Sequence, residues 1–156
     1  MNGYIGEYNC RLDEKGRLSL PAKLRAQFPE SAGNVLVVNR GFEKCLVLYT
    51  REDWMKETAK LTAVDDFMSP EIRRFKRLFT NGANAISLDT AQRILIPKKL
   101  LDYAEITDDV VLSANGSKVE IWSAKNYESE MAVDSAELSQ LAQQFYTQQE
   151  VQRKTT

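Results

Sequence analysis

One passage of this chain is written twice. Residues 11–28 read RLDEKGRLSLPAKLRAQF, and residues 86–104 read ISLDTAQRILIPKKLLDYA. Laying Asp13 on Asp89 also lays Leu12 on Leu88, Arg17 on Arg93, Leu18 on Ile94, Leu20 on Ile96, Pro21 on Pro97, Lys23 on Lys99 and Leu24 on Leu100. The likeness resumes where CLVLYTREDW (45–54) resembles KVEIWSAKNY (118–127), with Gly41 and Gly116 in the turns before them. Internal similarity on this scale marks duplicated modules, and two copies are too few for a solenoid.

Each copy predicts the same elements. A strand near 5–12 or 83–88 runs into a turn at the aspartate, and a short strand at 17–20 or 93–96 leaves it. Pro21 and Pro97 stand where a helix accepts proline in its first turn. Leu24 with Phe28, and Leu100 with Ala104, fall one helical turn apart on a buried face. Strands near 35–38 and 45–49 form a hairpin around NRGF, with counterparts near 110–114 and 118–122. Thr50 and Asp53 fit a capping box before a helix through Trp54 and Leu61. The fold class is therefore α+β and rich in strands. Residues 5–54 form the first module, 55–82 a helical linker, 83–127 the second module, and 128–156 a C-terminal helix and tail.

In the linker, Ser69 is the predicted N-cap and Pro70 the first helical residue. Ile72, Phe75 and Phe79 share one face, while Arg73, Arg74, Lys76 and Arg77 make a solvated basic one. From Asp134 to about Gln149, Leu138, Leu141 and Phe145 recur at helical spacing. The last residues are expected to fray.

Composition removes several function classes. With 156 residues there is enough chain for a real core. No apolar run approaches the roughly 20 residues that span a bilayer, and MNGYIGEYNC lacks the basic and apolar regions of a signal peptide. No membrane partner and a cytoplasmic location are expected. The chain has no histidine, and Cys10 and Cys45 make no CxxC pair. Zinc held by Cys and His is disfavoured, as are Ser-His and Cys-His nucleophiles. No Walker-type glycine loop and no GxGxxG occurs. No enzyme activity, metal or cofactor is expected.

The net charge of −1 conceals an uneven distribution. Residues 1–25 carry Arg11, Lys15, Arg17, Lys23 and Arg25 against Glu7, Asp13 and Glu14, whereas residues 126–156 are acidic. Local charge decides whether a polyanion can dock. In LDEKGRL the Asp13 carboxylate can accept turn N–H groups, and Gly16 takes positive φ at little cost. Asp13 and Asp89 are read as residues that lock the turn and orient Arg17 and Arg93. An arginine held by a carboxylate keeps donors for a phosphate or a guanine edge. Arg11, Lys15, Lys23 and Arg25 surround the first motif, and Lys98 and Lys99 supply charge near the second. Two such copies favour nucleic acid over a merely solvated surface.

On these residues the chain resembles the MraZ family, bacterial transcription regulators built from two SpoVT-AbrB-type modules. The likeness is carried by GEYNCRLDEKGRLSLPAKLR, CLVLYTREDW, RRFKRLFTNGANAISLDTAQRILIPKKL and VEIWSAKNYE, and reaches to about residue 130. The resemblance implies interleaved, swapped hairpins closing a pseudo-twofold β-barrel with flanking helices. It implies a ring-like homo-oligomer, associated with the nucleoid, that binds repeated boxes in double-stranded promoter DNA. Its targets would be the cell-division and cell-wall gene cluster, including its own gene, with repression by occupying the promoter. Arg17 and Arg93 would face DNA, Asp13 and Asp89 would organise them, and Arg11, Lys15, Lys23 and Arg25 would support them. The competing reading is a non-DNA oligomeric or antitoxin-like partner binder on the same fold. One departure stands out. The family turn is Asp-x-x-Gly-Arg, but the second copy has Gln92 in place of glycine. A reshaped second turn is expected, and with it a stronger DNA contact from the first module.

Overall fold

A computed structural model describes residues 3–155. The chain forms two compact units, one up to Ala124 and one from Lys125. In the first unit, copy one supplies β1 (Tyr4–Arg11), β2 (Arg17–Ser19), α1 (Ala22–Arg25), β3 (Val35–Arg40), β4 (Leu46–Thr50) and α2 (Arg51–Thr62). After α3 (Pro70–Asn81), copy two supplies β5 (Asn84–Ser87), β6 (Arg93–Leu95), α4 (Lys98–Tyr103), β7 (Asp109–Gly116) and β8 (Lys118–Ser123). The second unit consists of α5 (Ala124–Met131), from its second residue onward, and α6 (Ser135–Thr155).

The strands pair across the copies. One antiparallel sheet runs β1-β7-β8-β4-β3-β5, and β2 pairs with β6 in a separate ribbon. Replacing each strand by its counterpart and reading backwards returns the same order, so the pairing has a pseudo-twofold. The axis passes between β4 and β8 and between β2 and β6. Loop hydrogen bonds obey it too. Leu12 N–H donates to Asp108 O at 2.8 Å and Leu88 N–H to Asn34 O at 2.7 Å. Leu20 N–H donates to Gln92 O at 3.0 Å, and Ile96 N–H to Gly16 O at 3.1 Å.

The expected closed barrel is not formed. β1 and β5 are the two edges of an open sheet. The reason is local. Each Asp turn breaks the ladder, and β2 and β6 are only three residues long, so they pair with each other and little else. A single bridge, Leu12 to Leu18, joins β2 to the end of β1. The ribbon instead covers one face of the sheet. Leu18, Leu20, Ile94 and Ile96 share one core with Leu36, Val38, Leu46, Leu48, Val110, Leu112, Val119 and Ile121. Leu24, Phe28, Leu100 and Ala104 join the buried set at the positions their spacing predicts.

The opposite face, at β3 and β4, presents Val37, Val47 and Tyr49, with Trp54 of α2 packed on them. Trp54 stacks on Phe79 of α3, with centroids 5.3 Å apart and planes 18° apart. Burial there pushes the Tyr49 phenol up to about 12. On α3, Ser69 caps the helix by accepting the Ile72 N–H at 3.2 Å. Two of its cations are engaged: Arg73 donates to the carbonyls of Asp66 and Phe67, and Lys76 pairs with Asp66. Arg74 and Arg77 are exposed.

In the second unit, Asp134 accepts the Glu137 N–H at 2.8 Å as α6 begins. The helix extends to Thr155, past the expected end near Gln149. Gln, Glu and Val continue it without a breaker, and Arg153 and Lys154 in its last turn suit the negative end of the helix dipole. Leu138, Leu141 and Phe145 are exposed. No helix among the described residues is long and apolar enough to cross a membrane.

The α2 start carries a buried polar knot. Thr50 Oγ1 accepts the Asp53 N–H at 3.1 Å and donates to Asp53 Oδ2 at 2.9 Å, while the Tyr4 hydroxyl donates to the same carboxylate oxygen at 2.7 Å. Asp53 is buried and ties β1 to α2. Removing it takes away the buried carboxylate oxygen to which both hydroxyls donate. Asp53→Ala is expected to destabilise by about 2–3 kcal/mol, read as a lowered urea midpoint at unchanged slope.

Candidate nucleic-acid interface

The two Asp turns are built alike. Asp13 Oδ1 accepts the N–H groups of Lys15 and Arg17, both at 2.9 Å, and Oδ2 accepts Arg17 Nε at 2.6 Å. Asp89 Oδ1 accepts the N–H groups of Ala91 and Arg93, both at 2.9 Å, and Oδ2 accepts Arg93 Nε at 2.8 Å. Backbone bonds close each loop: Asp13 N to Arg17 O at 3.0 Å matches Asp89 N to Arg93 O at 3.0 Å. One carboxylate thus shapes the turn with one oxygen and aims the guanidinium with the other.

The second turn is not reshaped. Gln92 sits at φ 60° where Gly16 sits at φ 80°, and Gln92 N–H reaches Asp89 O at 3.0 Å as Gly16 N–H reaches Asp13 O at 3.1 Å. A left-handed non-glycine residue costs on the order of 1–2 kcal/mol. A side-chain contact offsets part of that: Gln92 Oε1 accepts Arg25 Nε at 3.1 Å. The first copy solves the same contact differently. Leu101 stands at the position matching Arg25, and its Cδ1 lies 3.4 Å from where a Gly16 Cβ would be. Gly16 with Leu101, and Gln92 with Arg25, are two fillings of one pseudo-symmetric site.

This geometry also shows that each helix serves the opposite turn. Proximity in sequence puts Arg25 with the first motif, but in the fold it touches the second. Its Nη2 donates to Gly33 O at 2.7 Å, so two of its donor groups are used internally. Arg11 is exposed and lies 3.7 Å from Asp108. Lys15 and Lys23 are exposed, and their ammonium groups have no partner among the described residues. Lys98 pairs with Asp102 at 3.3 Å. A groove of about 490 Å³ lies beside the first turn, lined by Lys15, Gly16, Leu95, Lys98, Leu101 and neighbours.

The β2–β6 register decides which way the arginines face. Arg17 lies opposite Leu95, Leu18 opposite Ile94, and Ser19 opposite Arg93. Leu18 and Ile94 point into the core and are fully buried. Alternation then puts Arg17, Ser19, Arg93 and Leu95 together on the outer face. The arginine side chains are 30% and 32% exposed. Each is fixed through Nε, and neither uses an Nη donor among the described residues. Ser19 and Leu95 are the residues that motif reading overlooked. Strand alternation held the signal, since each follows an inward residue.

Away from the ribbon, Glu43, Cys45 and Glu120 bring their ligand atoms within 4.8 Å of one another. Glu120 Oε1 already accepts from Asn115 and Trp122.

A duplicated α+β protein that holds two arginines outward on one shared ribbon is the class this geometry defines. Sequence comparison gives the family. The sequence model described as "MraZ protein, putative antitoxin-like" matches residues 4–78 and again 79–149. The chain is 41% identical over 146 residues to the transcriptional regulator MraZ of Cytophaga hutchinsonii, covering 93% of this chain and 95% of that one. It is 39% identical over 124 residues to the protein of the same name from Heliobacterium modesticaldum, covering 80% and 83%. With that of Roseiflexus castenholzii it shares 35% over 142 residues, covering 91% and 96%. The chain belongs to the MraZ family, whose named members here are transcriptional regulators.

The turns have a pH signature. The Arg17 backbone N–H, ahead of the guanidinium, holds the Asp13 carboxyl below the ordinary carboxylate range, against some desolvation. Arg93 does the same for Asp89. A carboxyl with a lowered folded pKa stabilises above its unfolded value of about 4. That contribution disappears as pH falls through the folded pKa. Carboxyl NMR titration should place both groups below the ordinary aspartate value of about 4. The Asp13→Asn, Asp89→Asn double variant should lose less Tm than wild type between pH 5 and pH 2.

Proposed function

We propose that this chain is a DNA-binding transcriptional regulator whose β2–β6 ribbon lies against promoter DNA, with Arg17 and Arg93 as its main contacts. The carrying observation is that both guanidiniums are locked through Nε by Asp13 and Asp89 while their Nη donors stay open. That is the arrangement a bidentate contact to guanine O6 and N7, or to a phosphate, requires. A two-stranded ribbon is also an element the major groove admits. The two arginines are offset by two residues along the ribbon, roughly 7 Å, or about two base-pair steps.

Lys15, Lys23 and Arg11 are the supporting phosphate contacts. Arg25 contributes through its remaining donors and by fixing the second turn. Because the second turn keeps the geometry of the first, Arg93 is assigned weight equal to Arg17. The targets are repeated boxes ahead of the cell-division and cell-wall genes, and the action is repression from a cytoplasmic, nucleoid-associated ring of identical subunits. Self-assembly is supported by the exposed apolar side chains of Phe42, Phe75 and Leu78, where Phe42 and Phe75 lie with ring centroids 6.1 Å apart. Repeated boxes would then be bound with avidity, a gain of roughly 100-fold to 10,000-fold over one contact where spacing permits.

The patch also favours a second reading, an interaction module that uses this surface and no DNA. Fluorescence anisotropy on DNA from upstream of the protein's own gene separates the two. Arg17→Ala and Arg93→Ala should each weaken binding by about 10-fold to 100-fold. Wild-type affinity should fall log-linearly with salt and exceed that for scrambled DNA. Equal, weak, salt-insensitive binding by all three folded proteins would reject the DNA reading and leave the partner-binding one.

A further inference from the structure

The outer face of the ribbon is not symmetric. The pseudo-twofold exchanges Arg17 with Arg93 faithfully, but it exchanges Ser19 with Leu95. Leu95 is 56% exposed, although its neighbours Ile94 and Ile96 are buried. It faces outward, directly across the ribbon from Arg17, while Ser19 holds the same place across from Arg93. A scattered surface leucine is ordinary. This one sits on a three-residue strand between two held guanidiniums, on the face that carries them.

We propose that Leu95 is a base-reading residue whose side chain takes the C5-methyl group of a thymine in the major groove. The inference rests on the DNA-binding reading of the ribbon and adds a specificity determinant to it. A leucine side chain has neither donor nor acceptor. The thymine methyl is the apolar feature that base edges present in the major groove, and apolar side chains read it by contact. Directly opposed side chains have Cβ atoms about 5 Å apart, comparable to one or two base-pair steps. The thymine is therefore within one or two base pairs of the site Arg17 contacts. A serine hydroxyl in the matching place accepts several base edges and selects weakly. One end of the ribbon demands a methyl group and the other does not, so a nearly symmetric ribbon binds in a single orientation.

The test uses the full-length protein and upstream DNA in which each thymine is replaced in turn by deoxyuridine. That change removes the methyl group and keeps base pairing. Wild type should lose about fourfold in affinity at one thymine per box, the size of one buried methyl group. Leu95→Ser, which copies Ser19 and changes only an exposed side chain, should lose a similar factor on natural DNA. It should lose nothing further on the deoxyuridine DNA. Two results overturn the proposal while the DNA reading stands: no thymine matters to wild type although Arg17→Ala still weakens binding as expected, or Leu95→Ser and deoxyuridine act additively. If wild type shows no salt-dependent preference for the DNA at all, both readings fall together.

Discussion

The packing of Leu18 against Ile94 is the contact on which the arrangement depends. These two fully buried side chains face each other where the pseudo-twofold crosses the β2–β6 ribbon. They seat a ribbon of six residues on the sheet. The same backbone that drives them inward drives Arg17 and Arg93 outward. A slip of one residue in this pairing would turn the arginines into an apolar core and expose the two aliphatic groups. Register, core and surface chemistry are therefore one constraint.

The interleaving has an energetic side. β1 of copy one closes on β7 of copy two, and β5 of copy two closes on β3 of copy one. Neither copy can satisfy its own strands or cover its own core. Long-range pairing of this kind has to form late and together, which favours all-or-none folding of the first unit. The turns are rigid for a different reason. Three hydrogen bonds converge on each aspartate, and each loop is closed again by backbone bonds.

Much of this was legible in the sequence, because duplication prints every constraint twice. The strand-turn-strand-Pro pattern, the buried Leu24, Phe28, Leu100 and Ala104, the Thr50 and Ser69 caps, and the Asp-Arg pairing all follow from local chemistry. The open sheet does not. Whether a sheet closes depends on strand length and on where turns interrupt the ladder, which periodicity alone leaves undetermined. The second turn departs from its expected form for a physical reason: glycine preference is local, whereas Gln92 is held by Arg25 from a distant segment of the chain. Sequence distance places Arg25 with the nearer motif, whereas the crossing of helix and turn between copies sets it against the farther one.

That crossing has a consequence for how the copies have diverged. The glycine–leucine filling under one turn and the glutamine–arginine filling under the other are matched sets split between the halves. A chain assembled from two first halves would bring a guanidinium beside a glycine that has no acceptor for it. One assembled from two second halves would press a leucine against an amide that has lost its donor. The halves have thus become complementary parts, like a lock and its key cut from one blank, and neither can any longer stand in for the other.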